Sequence, residues 1–119
     1  MSEIRLGAVE SKFADIIWNN EPLRPVELEK HAEAELNWKR TTTLTILKRL
    51  CERGIFQNKD RIITSLISRE EFYALQSEKF VNDTFEGSLP AFLTAFGSRK
   101  KLSDKEVEEL KKVIDSMRR

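Results

Sequence analysis

The segment TTTLTILKRLCERGIFQNKDRIITSLI, residues 41–67, decides the fold of this chain. Its first half repeats apolar residues at helical spacing, and Gly54 follows at the position where a helix ends. Its second half contains two β-prone runs, residues 55–57 and 62–67, on either side of the polar residues 58–61. The segment therefore predicts a helix that ends at Gly54, followed by a hairpin with a four-residue loop.

Two further helices are predicted upstream of this segment. Residues 6–18 place apolar side chains three and four positions apart, which indicates a helix with one buried stripe. Pro25 begins a second helix, since a proline at the first helical position loses no hydrogen bond. We expect Trp18 and Trp38 to pack in the core. Three helices followed by a hairpin is the order of a winged helix-turn-helix domain, whose third helix enters the major groove of DNA.

Charge is unevenly distributed along the 119 residues, although the net charge is only +1. Residues 1–36 hold four basic and eight acidic residues, a net charge of −4. Residues 37–61 hold seven basic and two acidic residues, a net charge of +5, and the remainder is neutral. A positive block on the third helix and the hairpin favours phosphate binding there over a randomly charged surface.

The predicted third helix and the hairpin tip carry the side chains that contact DNA in other proteins. Threonine hydroxyls hydrogen-bond phosphates or base edges, and threonine methyl groups can meet the thymine methyl. Basic residues neutralise phosphates, and a helix N-terminus also attracts anions. Thr41 could alternatively serve only as a helix cap. The candidate DNA-binding residues are Lys39, Arg40, Thr41, Thr42, Thr45, Lys48, Arg49, Lys59 and Arg61.

The C-terminal half predicts three more helices. Ser68 and Ser103 are each followed three residues later by a glutamate, the pattern of a capping box. Ser88 caps a short apolar helix between them. These helices carry more apolar residues than they can bury alone, so they pack either against a second copy of the chain or back onto the winged domain. We favour the second copy, with these dimerisation residues: Phe72, Phe80, Phe85, Phe92, Phe96, Leu110 and Ile114.

The predicted fold class is therefore mainly α with a small β-hairpin. A winged helix-turn-helix DNA-binding domain occupies residues 1–68, and a helical dimerisation region occupies residues 69–119. A two-fold homodimer would present two recognition helices to a pseudo-palindromic duplex.

The sequence argues against an enzyme and against a bound metal or cofactor. His31 is the only histidine and lies in an acidic, exposed stretch, and there is no phosphate loop or nucleophile motif. Cys51 is the only cysteine, and its place on an apolar helix side indicates a buried structural thiol. No signal peptide or run of about 18 to 20 apolar residues is evident. We expect a cytoplasmic protein without membrane insertion.

Three stretches of the chain carry a family resemblance: Glu10 with Ile16-Ile17-Trp18, the threonine-rich run 41–50 with Glu52-Arg53-Gly54, and the run 102–110. The threonine-rich run is the most specific of the three. Over nearly all of its length the chain resembles the penicillinase repressors, the winged-helix repressors of β-lactamase and methicillin-resistance genes.

The resemblance implies that a homodimer represses transcription and is inactivated by proteolysis. A membrane-bound metalloprotease sensor triggers this cleavage in the family, and the matching bond here is Ala95-Phe96. The paired Cys-x-Cys motifs of the copper-responsive branch do not occur in this sequence. Two other functions stay open at this point: a winged-helix regulator that responds to a small ligand, and a winged-helix interaction adaptor that does not bind DNA.

Overall fold

A computed structural model describes residues 6–118 of the chain. Residues 1–5 and Arg119, which the predicted domain ranges include, lie outside the described residues. The described part is mostly helical with one antiparallel hairpin, which confirms the predicted fold class. Its elements are α1 (Ala8–Asn20), α2 (Pro25–Leu36), α3 (Arg40–Glu52), β1 (Phe56–Lys59), β2 (Ile62–Ser65), α4 (Arg69–Phe85), α5 (Leu89–Arg99) and α6 (Asp104–Ser116).

Buried side chains hold α1, and local chemistry determines the ends of α2. In α1, Phe13 and Ile17 are fully buried, whereas Val9 near the start of the predicted stripe is exposed. Pro25 occupies the first turn of α2 as predicted, and the Glu27 carboxylate accepts a hydrogen bond of 2.7 Å from the Arg24 backbone N–H. Asn37 ends α2 in the left-handed conformation, with φ of 58°. This residue turns the chain directly into α3.

One side of helix α3 packs into the core, and a glycine terminates the helix. Leu47 and Leu50 are buried, so the opposite side of α3 faces solvent. At the C-terminus, the Gly54 N–H bonds the Cys51 carbonyl at 3.0 Å, and the Ile55 N–H bonds the Leu50 carbonyl at 3.2 Å. This pair of bonds is a Schellman motif, and Gly54 supplies its left-handed residue with φ of 81°. The last helical residue is Glu52, and the prediction that Gly54 follows α3 as its left-handed C-terminal residue is confirmed.

The hairpin is tighter than the sequence predicted. Its two strands pair Lys59 with Ile62, so the loop contains two residues rather than four. Asp60 and Arg61 form this loop with φ of 53° and 61°. Positive φ at both positions is typical of a type I′ turn, which matches the twist of paired strands. The four-residue loop was wrong because residues 58 and 59 continue β1, and the second strand ends at Ser65 instead of residue 67.

One residue of the segment between α1 and α2 pairs with β2 as an isolated β-bridge. Leu23 pairs with Ile63 through two backbone hydrogen bonds of 3.2 and 2.8 Å. In addition, the Glu21 carboxylate accepts hydrogen bonds from the Ser65 backbone N–H at 2.7 Å and from the Ser65 hydroxyl at 2.8 Å. The base of the hairpin is therefore tied to the chain segment that leads into α2.

The described chain divides into two compact units between Ser77 and Glu78, within α4. The first turns of α4 belong to the first unit because Phe72 is buried there, with its ring 5.7 Å from that of Trp18. The second unit contains the rest of α4 together with α5 and α6. All three predicted serine caps form: Ser68 bonds the Glu71 N–H, Ser88 the Ala91 N–H, and Ser103 the Glu106 N–H.

Candidate nucleic-acid interface

The solvent side of α3 presents a row of hydroxyl and basic side chains. Its exposed residues include Thr41, Thr42, Thr45, Lys48 and Arg49, so these five predicted contact residues lie together on one face. Thr43 points the other way: it is fully buried, and its hydroxyl donates to the Lys39 carbonyl at 3.0 Å. A helix held by a buried side is a rigid support for the opposite face.

The start of α3 is strongly positive. Lys39 is the N-cap residue and Arg40 is the first helical residue, and both are exposed. The first turn contains no acidic side chain, and the helix dipole adds positive potential at this end. Thr41 lies inside the helix and is not its cap, so the alternative role for Thr41 is wrong. The N-terminal end of α3 is thus arranged to attract an anion.

Two arginines of α3 are paired with acidic residues from the preceding helices. Arg40 Nε lies 3.2 Å from a carboxylate oxygen of Glu29 in α2. Arg49 Nη1 lies 3.4 Å from a carboxylate oxygen of Glu10 in α1. Sequence reasoning did not find these partners. The only signal for them is that both acids belong to the negative block that precedes the positive one.

The hairpin tip supplies a second group of cations. Lys59, the last residue of β1, and Arg61, within the two-residue loop, are both exposed. The turn lines a depression at the beginning of α2, to which Arg24 contributes a further cation that is absent from the predicted contact residues. The residues that line this depression are Arg24, Pro25, Val26, Asp60, Arg61 and Ile62.

The two tryptophans and the cysteine have structural roles in the first unit. Trp38 stacks at 5.0 Å from Phe13, and the Trp18 indole N–H donates to the Ile67 carbonyl at 3.0 Å. Both rings pack against the buried core, as predicted. Cys51 is half-buried, and this burial, with a smaller effect from the neighbouring Glu52, raises the pKa of its thiol. The raised pKa favours the protonated thiol, and Cys51, which was predicted to be buried, is only half-buried.

The second unit brings four of the predicted dimerisation phenylalanines together. We call Phe80, Phe85, Phe92 and Phe96 the aromatic cluster; its ring centroids lie 5.7 to 6.3 Å apart from one neighbour to the next. Phe80 is 44% exposed and Phe96 is 47% exposed, so this cluster is open to solvent in the single chain. Phe72 is not part of it. Because Phe72 is buried in the first unit, we remove it from the candidate dimerisation residues.

Helix α6 has one apolar edge, which we call the α6 seam. It consists of Val107, Leu110, Ile114 and Met117, spaced three and four residues apart. Each of these side chains is at least partly exposed in the single chain, and Ile114 and Met117 are among the most exposed apolar residues. The spacing is that of a helix that packs along its length against another helix.

The Ala95-Phe96 bond lies in the middle of α5, and both residues are exposed. The bond is nevertheless part of a hydrogen-bonded helix: the Ala95 carbonyl accepts from the Ser98 hydroxyl at 2.7 Å, and the Phe96 carbonyl accepts from the Lys100 N–H at 3.2 Å. A protease needs extended backbone, so cleavage here requires that this turn of α5 opens.

His31 and the acidic residues do not form a metal site within the described chain. His31 Nδ1 lies 3.3 Å from a carboxylate oxygen of Glu35, one turn further along α2. Among residues 6–118, no group of three or more potential ligands is close enough to hold a metal ion. No helix in the same range is long and apolar enough to cross a membrane.

Comparison with known proteins gives a consistent result. Residues 6–116 match the family described as penicillinase repressor. The methicillin resistance regulatory protein MecI of Staphylococcus aureus strain Mu50 is 25% identical over 114 residues, which cover 92% of this chain and 93% of MecI. The penicillinase repressor of Bacillus licheniformis is 22% identical over 115 residues, which cover 93% of this chain and 90% of that repressor.

The fold also has solved counterparts. The solution structure of the DNA-binding domain of the repressor BlaI matches with a TM-score of 0.50 and 22% identity, and the match covers 60% of this chain and 93% of that domain. A second solution structure, of the monomeric form of Bacillus licheniformis BlaI in complex with the blaP half-operator, matches equally well. These likenesses support the winged-helix fold of the first unit. With a family match over almost its entire length, the chain belongs to the penicillinase repressor family.

Proposed function

We propose that this protein is a transcriptional repressor that binds double-stranded operator DNA as a homodimer in the cytoplasm. The observation that carries the proposal is the exposed face of α3. It combines threonines with Lys48 and Arg49 on a helix whose opposite side is buried. Membership of the penicillinase repressor family supports the same role, and the relatives are named as regulators and repressors rather than enzymes.

In this proposal the parts of α3 have different tasks. Thr41, Thr42 and Thr45 lie nearest the base edges, where their hydroxyl and methyl groups can distinguish bases. Lys39 and Arg40 bind phosphate at the helix N-terminus, and Lys48 and Arg49 follow the backbone. Lys59 and Arg61 at the hairpin tip contact phosphates beside the groove that α3 enters.

The second unit supplies the dimer. The aromatic cluster and the α6 seam are apolar surfaces that a single chain leaves exposed to water. Burying them against a second copy would stabilise both chains and bring two recognition helices into one assembly. Each winged-helix domain alone binds weakly. Joining two domains in a dimer raises the effective concentration of the second domain at its half-site.

The most direct test measures duplex binding as a function of salt concentration. A repressor that contacts phosphates loses affinity steeply between about 50 and 200 mM salt. We expect this dependence, together with a pseudo-palindromic sequence when bound duplexes are selected from a random pool. A chain that binds no duplex at low salt would instead be the interaction adaptor, and the repressor proposal would be wrong.

Derepression by proteolysis is the second part of the proposal. Cleavage at Ala95-Phe96, triggered by a membrane-bound metalloprotease sensor, would separate Phe96 and the whole α6 seam from the winged domain. Both residues are exposed in the single chain, so in the dimer access to this bond requires that the helix turn opens and that the contact at Phe96 separates. A chain that ends at Ala95 should sediment as a monomer and lose most of its operator affinity. If it remains a tight dimer, cleavage at this bond has no means of releasing the operator.

A further inference from the structure

The first turn of α3 obtains its counter-charge from another helix. Lys39 and Arg40 stand at the positive end of the helix dipole, and the turn itself holds no acidic residue. A cation at this end of a helix is unfavourable unless an anion lies nearby. In the free protein that anion is Glu29 of α2, whose carboxylate lies 3.2 Å from Arg40 Nε.

The two partners differ in how far they project from the protein. The Arg40 side chain is 76% exposed, whereas that of Glu29 is 20% exposed. The guanidinium can therefore turn outward to a DNA phosphate, while the carboxylate stays against the protein surface. The Arg49 and Glu10 pair repeats the pattern, with side chains 49% and 22% exposed and a distance of 3.4 Å.

We propose that Glu29 competes with DNA phosphate for Arg40 and so lowers the affinity of α3 for any duplex. This inference rests on the proposed function, because it requires that the start of α3 binds DNA. The carboxylate occupies, in the free protein, the position of an anion that DNA would otherwise supply. A phosphate that approaches Arg40 must draw the guanidinium away from Glu29 and also meets the repulsion of that carboxylate.

The size of the effect follows from the exposure of the pair. An ion pair as exposed as this one changes a binding constant by up to about fivefold, because water screens its charges. The competition is therefore strong enough to lower affinity and weak enough for DNA to overcome. A dimer has two such pairs, so the effects multiply when both heads bind.

The competition lowers binding to operator and non-operator DNA alike and leaves sequence choice unchanged. Contacts to phosphate carry no sequence information, so the Glu29 effect is the same on every duplex. A repressor must find its operator among a very large excess of other DNA, to which phosphate contacts alone attach it. Glu29 therefore shortens the time that α3 spends on non-operator sequences. It does not change the contacts of α3 with bases.

The test compares two neutralised glutamates of α2 in the full-length protein. Glu29→Gln removes the competitor with little change in shape, and Glu33→Gln makes the same change of net charge one helical turn away. The Glu33 side chain is exposed and takes part in no ion pair among residues 6–118. The probe is a labelled duplex of random sequence, with binding followed by fluorescence anisotropy at about 50 and 200 mM KCl.

We expect Glu29→Gln to bind about two- to fivefold more tightly per head than Glu33→Gln at the lower salt concentration. The difference should shrink at the higher concentration, since salt screens the competing charges. In an Arg40→Ala background most of the advantage of Glu29→Gln over Glu33→Gln should be lost, because only the direct repulsion between the carboxylate and phosphate remains. Thermal unfolding of each variant checks that the fold is intact.

Two results would overturn the inference, and they are distinguishable. If the wild-type protein binds the duplex and Glu29→Gln binds no more tightly than Glu33→Gln, Glu29 is not a competitor but a structural partner or an orienting group for Arg40. If the wild-type protein and all variants fail to bind at the lower salt concentration, the proposed function fails and this inference fails with it.

Discussion

The two units of the chain bury their apolar residues in opposite ways. The described part of the first unit, residues 6–77, contains fourteen buried hydrophobic residues, from Leu6 to Phe72, in one continuous core. Among the described residues of the second unit, from Glu78 onward, no hydrophobic residue is buried to this degree. Both units contain a substantial share of apolar residues, so the difference in burial does not come from composition. The first unit completes its own core, and the second needs a surface that a single chain does not provide.

This contrast corresponds to the proposed division of work. A reading head must hold α3 and the hairpin at fixed positions, which requires a self-contained core. A dimer element that is removed by cleavage requires the reverse, since its stability should depend on a partner. The second unit leaves Phe80, Phe96, Ile114 and Met117 exposed in the single chain, which supports burial by a second copy.

The largest expected effect tests the core of the first unit. Phe13→Ala removes a fully buried ring that contacts Trp38 at 5.0 Å. We expect the free energy of unfolding to fall by about 3 to 5 kcal/mol, because the lost burial is joined by a cavity. Chemical denaturation measures it. Val9→Ala in the same helix is the control; its side chain is exposed and should change stability by less than about 0.5 kcal/mol. Equal effects would contradict the self-contained core.

The next effect tests the second unit. Ile114→Asn places an amide on the α6 seam. The control, Lys112→Asn, introduces the same residue on another side of α6. If the seam packs against a second copy, Ile114→Asn should weaken dimerisation by at least about 2 kcal/mol, or about thirtyfold. Analytical ultracentrifugation over a range of concentrations measures this. A monomeric wild-type protein, or two variants that dimerise equally well, would show that the α6 seam does not form the dimer.

The sequence was sufficient for elements whose causes are local. The end of α3 at Gly54, the start of α2 at Pro25 and the three serine caps depend on residues within a few positions. They were predictable because a cap or a proline acts on its own turn. The winged-helix order and the exposed face of α3 followed from the same local patterns.

Features that depend on distant contacts were missed or misplaced. The hairpin loop was drawn too long because its length is determined by strand register, which residue types alone do not specify. Phe72 was assigned to the dimer because nothing near it reveals that Trp18, 54 positions earlier, packs against its ring. The pairing of Arg40 with Glu29 was missed for the same reason, since charge counts do not state which side chains meet.

A third prediction contrasts two neighbouring threonines of α3. Thr42 is exposed, whereas the buried Thr43 bonds the Lys39 carbonyl. Thr42→Ala should weaken operator binding by about 1 to 3 kcal/mol if it contacts a base, with little change in stability. Thr43→Ala should instead lower the free energy of unfolding by about 1 kcal/mol through the lost buried hydrogen bond.

Arg49→Ala gives the matching test of a charged contact on the same face. We expect weaker duplex binding and a smaller salt dependence, by about one unit of slope for each lost phosphate contact. Lys12→Ala in α1, also exposed, is the control for a lost positive charge. Unchanged affinity in both Thr42→Ala and Arg49→Ala would remove α3 from the proposed interface.

The smallest effect separates folding from binding at the hairpin tip. Arg61 adopts φ of 61°, a left-handed conformation that glycine accepts more readily, and Asp-Gly is a preferred type I′ turn. Arg61→Gly should therefore leave stability unchanged or raise it by about 0.5 kcal/mol, with the greater chain entropy of glycine opposing the relief of strain. Duplex binding should nevertheless weaken by up to about 1 kcal/mol, because an exposed phosphate contact is lost. Denaturation should show unchanged or higher stability for Arg61→Gly, whereas fluorescence anisotropy should show weaker duplex binding. A loss of stability without a loss of affinity would mean that Arg61 serves the hairpin and not the DNA.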